Sequence, residues 1–242
     1  MKFKKIINRL KKGRRPLLGV LIDPDKYNPE LIAMCSKSGV SCFLVGGSKL
    51  KKNNISSVVH SIKKISSLPV ILFPGDEKQL TAKADGLLLL SLLSGRNPEY
   101  LIEKHIRAAP LIKKMKLRYL STAYLLIDGG RQSATQHVTG TKPLDPNKSD
   151  YIINTALAAE QLGFGAVYLE AGSGAKNQVQ TSLIRKIKKA STLPLIVGGG
   201  IDSRAKAQSA ISAGANMIVI GNALEKNVYL LADIGPLFSH KQ

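Results

Sequence analysis

Tryptophan is absent from the 242-residue chain and aromatic residues make up only 5% of it. Basic strands interleaved with aromatics, the pattern that grips nucleic acid by stacking, are therefore missing, as are any zinc pattern and any recognition-helix motif. Cysteine is almost absent too. Cys35 and Cys42 each sit in or beside an apolar segment, which excludes a thiolate metal centre and suits two buried free thiols better than a disulfide. Long hydrophobic runs are lacking: the longest, Leu87 to Leu93, is broken by Ser91 and falls far short of the ~18 residues of a spanning helix. No apolar segment follows the basic N-terminus, so a secretory leader is not expected and a cytoplasmic location is. Acidic residues are few, 16 against 36 Lys and Arg, for a formal charge of +20. Such a field attracts anions, whether phosphate, nucleic acid or the inner face of an anionic membrane, without choosing among them.

What is present is an alternation. Hydrophobic residues form 44% of the chain, and short apolar runs alternate with amphipathic segments, the pattern of a parallel sheet covered by helices. Strands are predicted at Leu17–Ile22, Cys42–Val45, Val70–Phe73, Gly86–Ser91, Ala123–Ile127, Ala166–Glu170, Leu195–Val197 and Met217–Ile220. Helices are predicted at Pro29–Ser38, Ile55–Ile65, Pro98–Ile106, Asp150–Leu162, Val179–Ala190, Arg204–Ala213 and Leu224–Asp233. Eight strands in about 250 residues indicate one closed (β/α)₈ TIM barrel spanning residues 1–242. Gly75 to Asp85 is too short and too weakly periodic for the third helix, so an irregular segment is expected there. Gly129 to Lys148 reads as a long loop, either a functional lid or a structural excursion. In the basic segment 1–15, Phe3, Ile6, Ile7 and Leu10 share a helical face, which suits a plug for the barrel or a membrane-surface helix.

In such a barrel, chemistry gathers at the C-terminal ends of the strands. The sixth strand ends in Tyr168-Leu169-Glu170-Ala171-Gly172-Ser173-Gly174, where alternation puts Tyr168 and Glu170 on one face before a Gly-Ser-Gly turn. The seventh leads into Gly198-Gly199-Gly200 and the eighth into Gly221-Asn222. Glycine turns at adjacent strand ends let backbone amides approach a phosphate closely. The first strand ends in Asp23-Pro24-Asp25-Lys26 and the second in Gly46-Gly47-Ser48, hard oxygen donors suited to Mg²⁺, although Asp-Pro-Asp read alone is more often local capping.

At these residues the chain resembles the geranylgeranylglyceryl phosphate synthase family and its heptaprenylglyceryl phosphate synthase relatives. The resemblance rests on DPDK at Asp23–Lys26, VGGS at Val45–Ser48, YLEAGSG at Tyr168–Gly174, VGGGI at Val197–Ile201, and Gly221 with Asn222. It implies transfer of a prenyl group, geranylgeranyl in the first instance, from a polyprenyl diphosphate to the C3 hydroxyl of sn-glycerol 1-phosphate, the first ether bond of archaeal-type lipids. It implies Mg²⁺ at Asp23 and Ser48. It also implies a glycerol phosphate site built from Tyr168, Leu169, Glu170, Ala171, Gly172, Ser173, Gly174, Gly199, Gly200, Gly221 and Asn222, and a third helix replaced by irregular chain. The form of the first motif matches the second of the family's two groups, in which dimers and larger assemblies such as hexamers occur. Leu21 stands where some members carry a Lys, so another cation must meet phosphate or diphosphate, and Lys26 is the candidate.

In that frame Glu170 binds the glycerol hydroxyls and either accepts the proton of the attacking one or only orients it, while Tyr168 reaches phosphate through its hydroxyl. A mostly aliphatic groove for the prenyl chain is expected, with Leu87–Leu93 and Leu125–Ile127 as walls. His60, His105, His137 and His240 are expected outside the site. The competing enzyme reading is a sugar-phosphate isomerase or cyclase that pairs Asp23 with Asp128 at the ends of strands one and five, without Mg²⁺. A nucleic-acid-binding protein is the competing class, with charge as its only support.

Overall fold

The computed structural model describes residues 2–48, 50 and 54–239; His240 lies outside them. Strands β1 (Leu17–Ile22), β2 (Cys42–Val45), β3 (Val70–Leu72), β4 (Gly86–Leu92), β5 (Tyr119–Leu126), β6 (Ala166–Glu170), β7 (Leu195–Gly198) and β8 (Met217–Ile220) run parallel and close into a barrel in chain order. Closure is made by β8 against β1, with Leu17 opposite Met217 and Gly19 opposite Val219. Around it run α1 (Lys2–Lys12), α2 (Pro29–Cys35), α3 (Ile55–Ile65), α4 (Lys104–Met115), α5 (Ala134–Thr139), α6 (Ser149–Gln161), α7 (Thr181–Ala190), α8 (Arg204–Ser212), α9 (Asn222–Lys226) and α10 (Leu230–Ile234).

Period-two alternation divides the core into two clusters. Leu17, Cys42, Leu44, Ile71, Leu88, Tyr124, Tyr168, Ile196 and Met217 fill the inside of the barrel. The residues between them, such as Leu18, Phe43, Leu125, Val167, Leu169 and Val197, pack outward beneath the helices. Cys35 and Cys42 are both buried free thiols, and burial pushes each up to about 12, so they act as small apolar side chains.

The gap expected at the third helix is present, and one helix differs. Between β3 and β4 only a single 3₁₀ turn, Glu77–Gln79, occupies the place of a helix. Helix α4 continues to Met115 instead of stopping at Ile106, although Pro110 lies inside it. A proline removes one helical hydrogen bond, but Pro110 is exposed, where water can satisfy the freed carbonyl, and burial of Ala108 and Ile112 carries the helix past it. The helix then ends on Lys116 at φ 53°, whose amide reaches Ile112 and Lys113 oxygens.

The amphipathic N-terminal segment is a plug. Phe3, Ile6 and Leu10 of α1 are 4%, 4% and 1% exposed and join the cluster inside the barrel. Their basic neighbours face outward. Gly86 at the start of β4 makes room for Phe3, since a Cβ there would lie 2.2 Å from the ring. Asn216 fastens the same end: its Nδ2 donates to Leu10 O at 3.3 Å, and its Oδ1 accepts from Leu195 N at 2.9 Å and Lys188 Nζ at 3.2 Å. With its apolar face used in this way, α1 has none left for a bilayer. Phe3→Ala is therefore expected to cost about 3–5 kcal/mol of unfolding free energy, as a buried aromatic does, measured as a shift in denaturant midpoint. A helix resting on the surface would lose no more than about 0.5 kcal/mol.

Candidate active site

The open end of the barrel holds a cavity of about 640 Å³ bordered by the turns after β1, β2, β6, β7 and β8. Tyr168 and Glu170 both point into it, as alternation along β6 requires. Gly198, opposite Glu170 in β7, is what admits them: a Cβ there would lie 2.3 Å from Tyr168 Oη and 2.9 Å from Glu170 Oε2. Gly199, at φ +81°, brings the next turn against Glu170, since a Cβ on it would lie 2.5 Å from Oε1 and 2.7 Å from Gly172 N. A Cβ on Gly174 would lie 3.5 Å from Asn222 Nδ2. The three glycine turns thus adjoin one another. Ser173, Gly174, Gly199, Gly200, Gly221 and Asn222 all line the cavity. Leu169 and Ala171, named as site residues from the motif, do not: both are buried in the outer cluster, on the face alternation turns away. The Gly172 amide is taken by Glu170 Oε1 at 2.7 Å, so Gly172 shapes the site through that carboxylate.

Glu170 is only 7% exposed. Burial pushes its carboxyl up to about 7, although the Gly172 amide and the nearby Tyr168 pull the other way. A charged carboxylate loses hydration inside a barrel, and one short amide bond does not restore all of it. Tyr168 Oη is buried and makes no hydrogen bond of good geometry among the described residues; it lies close enough to Glu170 to favour that carboxylate, and a ligand's oxygen would satisfy it better. Below it Tyr168 stacks on Tyr124, with centroids 5.3 Å apart, and leans on Phe73 at 5.2 Å. The three rings form the cavity's floor.

Asp23 closes β1 and caps the following 3₁₀ turn, its Oδ1 accepting from Asp25 N at 3.0 Å. The capping reading of that motif is therefore realised, and it occupies one oxygen. A Cβ on Gly47 would lie 3.8 Å from the same Oδ1, so the β1 and β2 turns meet and bring Ser48 into the Asp23 neighbourhood. Among the described residues no cluster of three or more His, Cys, Asp or Glu could cage a metal. One carboxylate and one hydroxyl beside an anion cavity fit Mg²⁺, which keeps waters and completes its shell with phosphate oxygens. Lys26 spans the rim to Glu225 at 2.8 Å, and that partner raises its pKa. Asp128 does not join Asp23: its Oδ1 accepts from Gly130 N at 2.9 Å, and it borders a separate cleft with Lys176, Gln178 and Lys206. The paired-aspartate reading loses its geometry.

A second, apolar cavity of about 120 Å³ leads sideways from the first. The two share Gly47, Ser48, Phe73, Tyr124 and Thr135. Leu87, Leu89, Leu90 and Leu92 wall it, as expected of that run. Leu125, Leu126 and Ile127 do not, being buried in the core; Phe73, Tyr100 and Tyr124 line it instead, so it is less aliphatic than composition suggested. His105, expected elsewhere, also lines it, with Nε2 3.2 Å from Ser91 Oγ. The long loop forms α5 over the junction, with Ser48 Oγ 3.4 Å from Thr135 Oγ1 and Tyr100 Oη donating to Val138 O at 3.1 Å. Gln79 is a residue the sequence reading missed. Its Nε2 donates to Gly47 O at 2.7 Å while Oε1 accepts from Gly47 N at 3.2 Å, and it lies in the segment too irregular to read.

Comparison with known proteins identifies the family of the chain and supports its fold. Residues 11–234 match the PcrB family. The geranylgeranylglyceryl phosphate synthase of Zunongwangia profunda is 46% identical over 226 residues, 92% of this chain and 97% of that protein. That of Spirosoma linguale is 43% identical over 233 residues, covering 95% and 94%. The crystal structure of (S)-3-O-geranylgeranylglyceryl phosphate synthase from Thermoplasma acidophilum, in complex with its substrate sn-glycerol-1-phosphate, superposes with a TM-score of 0.89 at 29% identity, covering 98% of this chain and 97% of that one. The chain belongs to the PcrB family, the family of these geranylgeranylglyceryl phosphate synthases.

Proposed function

We propose that the protein transfers the prenyl group of a polyprenyl diphosphate, geranylgeranyl diphosphate in the first instance, to the C3 hydroxyl of sn-glycerol 1-phosphate, with Mg²⁺ held at Asp23 and Ser48. The observation that carries this reading is the junction of two unlike cavities, one polar and rimmed by glycine turns, the other apolar, at Ser48, Phe73, Tyr124 and Thr135. A phosphorylated polyol suits the first in chemistry and the start of a hydrocarbon tail suits the second, and the reacting atoms of the two would meet at the shared wall. The glycerol phosphate bound to the Thermoplasma acidophilum protein supports the acceptor.

In the proposed reaction the C3 oxygen bonds to C1 of the prenyl group, the C1–O bond to diphosphate breaks, and the hydroxyl proton goes to a base. Bound Mg²⁺ supplies Lewis-acid neutralisation of the leaving group's charge. Glu170 is placed to take the proton: it is buried at the meeting of the β6 and β7 turns and tuned to about 7, close to the working pH of a general base. Tyr168 offers its buried hydroxyl to the acceptor beside it. Phe73, Tyr124 and α5 keep water from the junction, where a forming allylic cation would otherwise be hydrolysed.

Incubation with sn-glycerol 1-phosphate, Mg²⁺ and a mixture of polyprenyl diphosphates is expected to yield a prenylglyceryl phosphate detectable by mass. Chelating the metal should abolish the product and Mg²⁺ restore it; absence of any prenyl ether would sink the reading. Glu170→Gln is expected to lower kcat by about 10²–10⁴ if the group is the base, whereas a change confined to the KM for glycerol phosphate would reduce it to an orienting role. Because the carboxylate form is the competent one, kcat/KM should fall as pH drops through about 7, and the variant should lack that limb. Stability runs the opposite way. With the folded pKa raised from 4.5 to about 7, the proton on Glu170 favours the native state below pH 4.5, and this contribution is lost as pH rises through about 7. Urea midpoints should therefore show Glu170→Gln gaining on the parent protein between pH 5 and pH 8.

A further inference from the structure

A diphosphate leaving group needs cations, and the described wall of the polar cavity is not basic. Asp23, Glu170, Asp202 and Glu225 line it against Lys26 and Lys226, and Lys26 is tied to Glu225. Leu21 of β1 lines the same cavity and brings no charge to it. Lys104 is placed to answer the deficit. It opens α4, directly after a π-helical turn at Glu99–Glu103. Such turns reset the phase of a helix and frequently mark functional sites. Here Tyr100, Lys104, His105 and Ala108 share the face that lines the apolar cavity. The Lys104 side chain is 19% exposed.

Lys104 lines that cavity together with Gly47 and Ser48 of the β2 turn. Lys104 Nζ donates to Gly75 O at 2.7 Å. Gly75 in turn presses on the β2 turn, since a Cβ there would lie 2.6 Å from Gly47 O and 2.9 Å from Ser48 Cα. The remaining tethers are loose. Asp76 Oδ2 is 3.3 Å away, longer than the ~2.7–2.9 Å of a strong charge-assisted bond, and the Tyr100 ring centroid is 4.7 Å away. An ammonium has three donors, so the described oxygen partners leave one for a ligand.

We propose that Lys104 and the Ser48 turn together form the subsite for the diphosphate of the prenyl donor, with Lys104 as its cation. The proposal rests on the prenyl-transfer reading of the cavities. In it the lysine meets the leaving group where the apolar cavity begins, so binding of the head and direction of the tail are set by one residue. Asp76, at 3.3 Å, is a weak resting partner that the more highly charged diphosphate displaces, while the bond to Gly75 O keeps the ammonium in place.

Titration calorimetry with inorganic pyrophosphate and Mg²⁺ tests this without requiring turnover. Lys104→Gln is expected to weaken pyrophosphate binding about tenfold, the loss of one hydrogen bond to a charged group, while Lys104→Arg keeps most of it. In turnover, Lys104→Gln should raise the KM for prenyl diphosphate similarly and leave that for glycerol phosphate within about twofold. Asp76→Asn separates a binding role from a structural one: a freed ammonium binds pyrophosphate as well as before or better, whereas a lysine that merely secures the Gly75 turn would lose binding in both variants, overturning the proposal. Unchanged affinity in Lys104→Gln also overturns it, as does a loss seen only in Lys51→Gln/Lys52→Gln, in the basic run that follows Ser48 in sequence. Should the protein make no prenyl ether, the prenyl-transfer reading falls while the calorimetry still decides whether Lys104 binds diphosphate.

Discussion

A carboxylate inside a barrel of hydrocarbon is the constraint around which the site is arranged. Glu170 sits on the inner face of β6 because alternation from Tyr168 puts it there, and it stays there because Gly198 and Gly199 leave space that any side chain would fill. The short bond from the Gly172 amide fixes one oxygen and bends the chain into the Gly-Ser-Gly turn. The same contact therefore positions the proposed base, shapes the glycine turn after β6 and seats the β7 turn against it. Burial that leaves the carboxyl near neutrality weakens the native state at neutral and alkaline pH, so the site retains a group that costs stability for a reason other than stability.

The second constraint is the missing helix. An eight-stranded barrel has no internal hole, since side chains fill it, and here α1 stops its lower end while three aromatic rings close it below the mouth. The prenyl tail of the proposed reaction would then have to leave the barrel sideways. Replacing a helix between β3 and β4 with one 3₁₀ turn uncovers the outer surface of β4, and the inner face of α4 roofs it. Gln79 compensates for the lost packing by clamping the β2 turn through both ends of its amide. The irregular segment and the apolar cavity are thus one feature seen from two sides.

The barrel was legible because its signal is periodic and repeated: every strand core lay within a short apolar run, and the adjoining glycine turns followed from their places after β6, β7 and β8. The failures have local causes. Leu169 and Ala171 were carried in by a contiguous motif, although a strand shows alternate residues to a ligand. Helix α4 was ended at Ile106, although the burial of Ala108 and Ile112 carries it on past Pro110 to Met115. Leu125 and Ile127 were indistinguishable from a groove wall because apolarity does not say which layer a side chain joins. Gln79, His105 and Thr135 came from segments without periodicity or from a helix face, where only the folded chain shows what each residue meets.

Net charge misleads about the site itself. The chain carries +20, yet the described residues around the polar cavity number four acids and two lysines. Many of the cations stand on the solvent faces of helices such as α1 and α7. At a Debye length of ~8 Å in physiological salt, such charges guide an anion toward the protein but scarcely hold it at the mouth. In the proposed function, holding would fall to short-range groups: the amides of glycine turns, the metal proposed at Asp23 and Ser48, and whichever ammonium reaches the junction. Adding surface cations would thus alter encounter more than grip, and a reading of this fold from charge alone would have searched the wrong face.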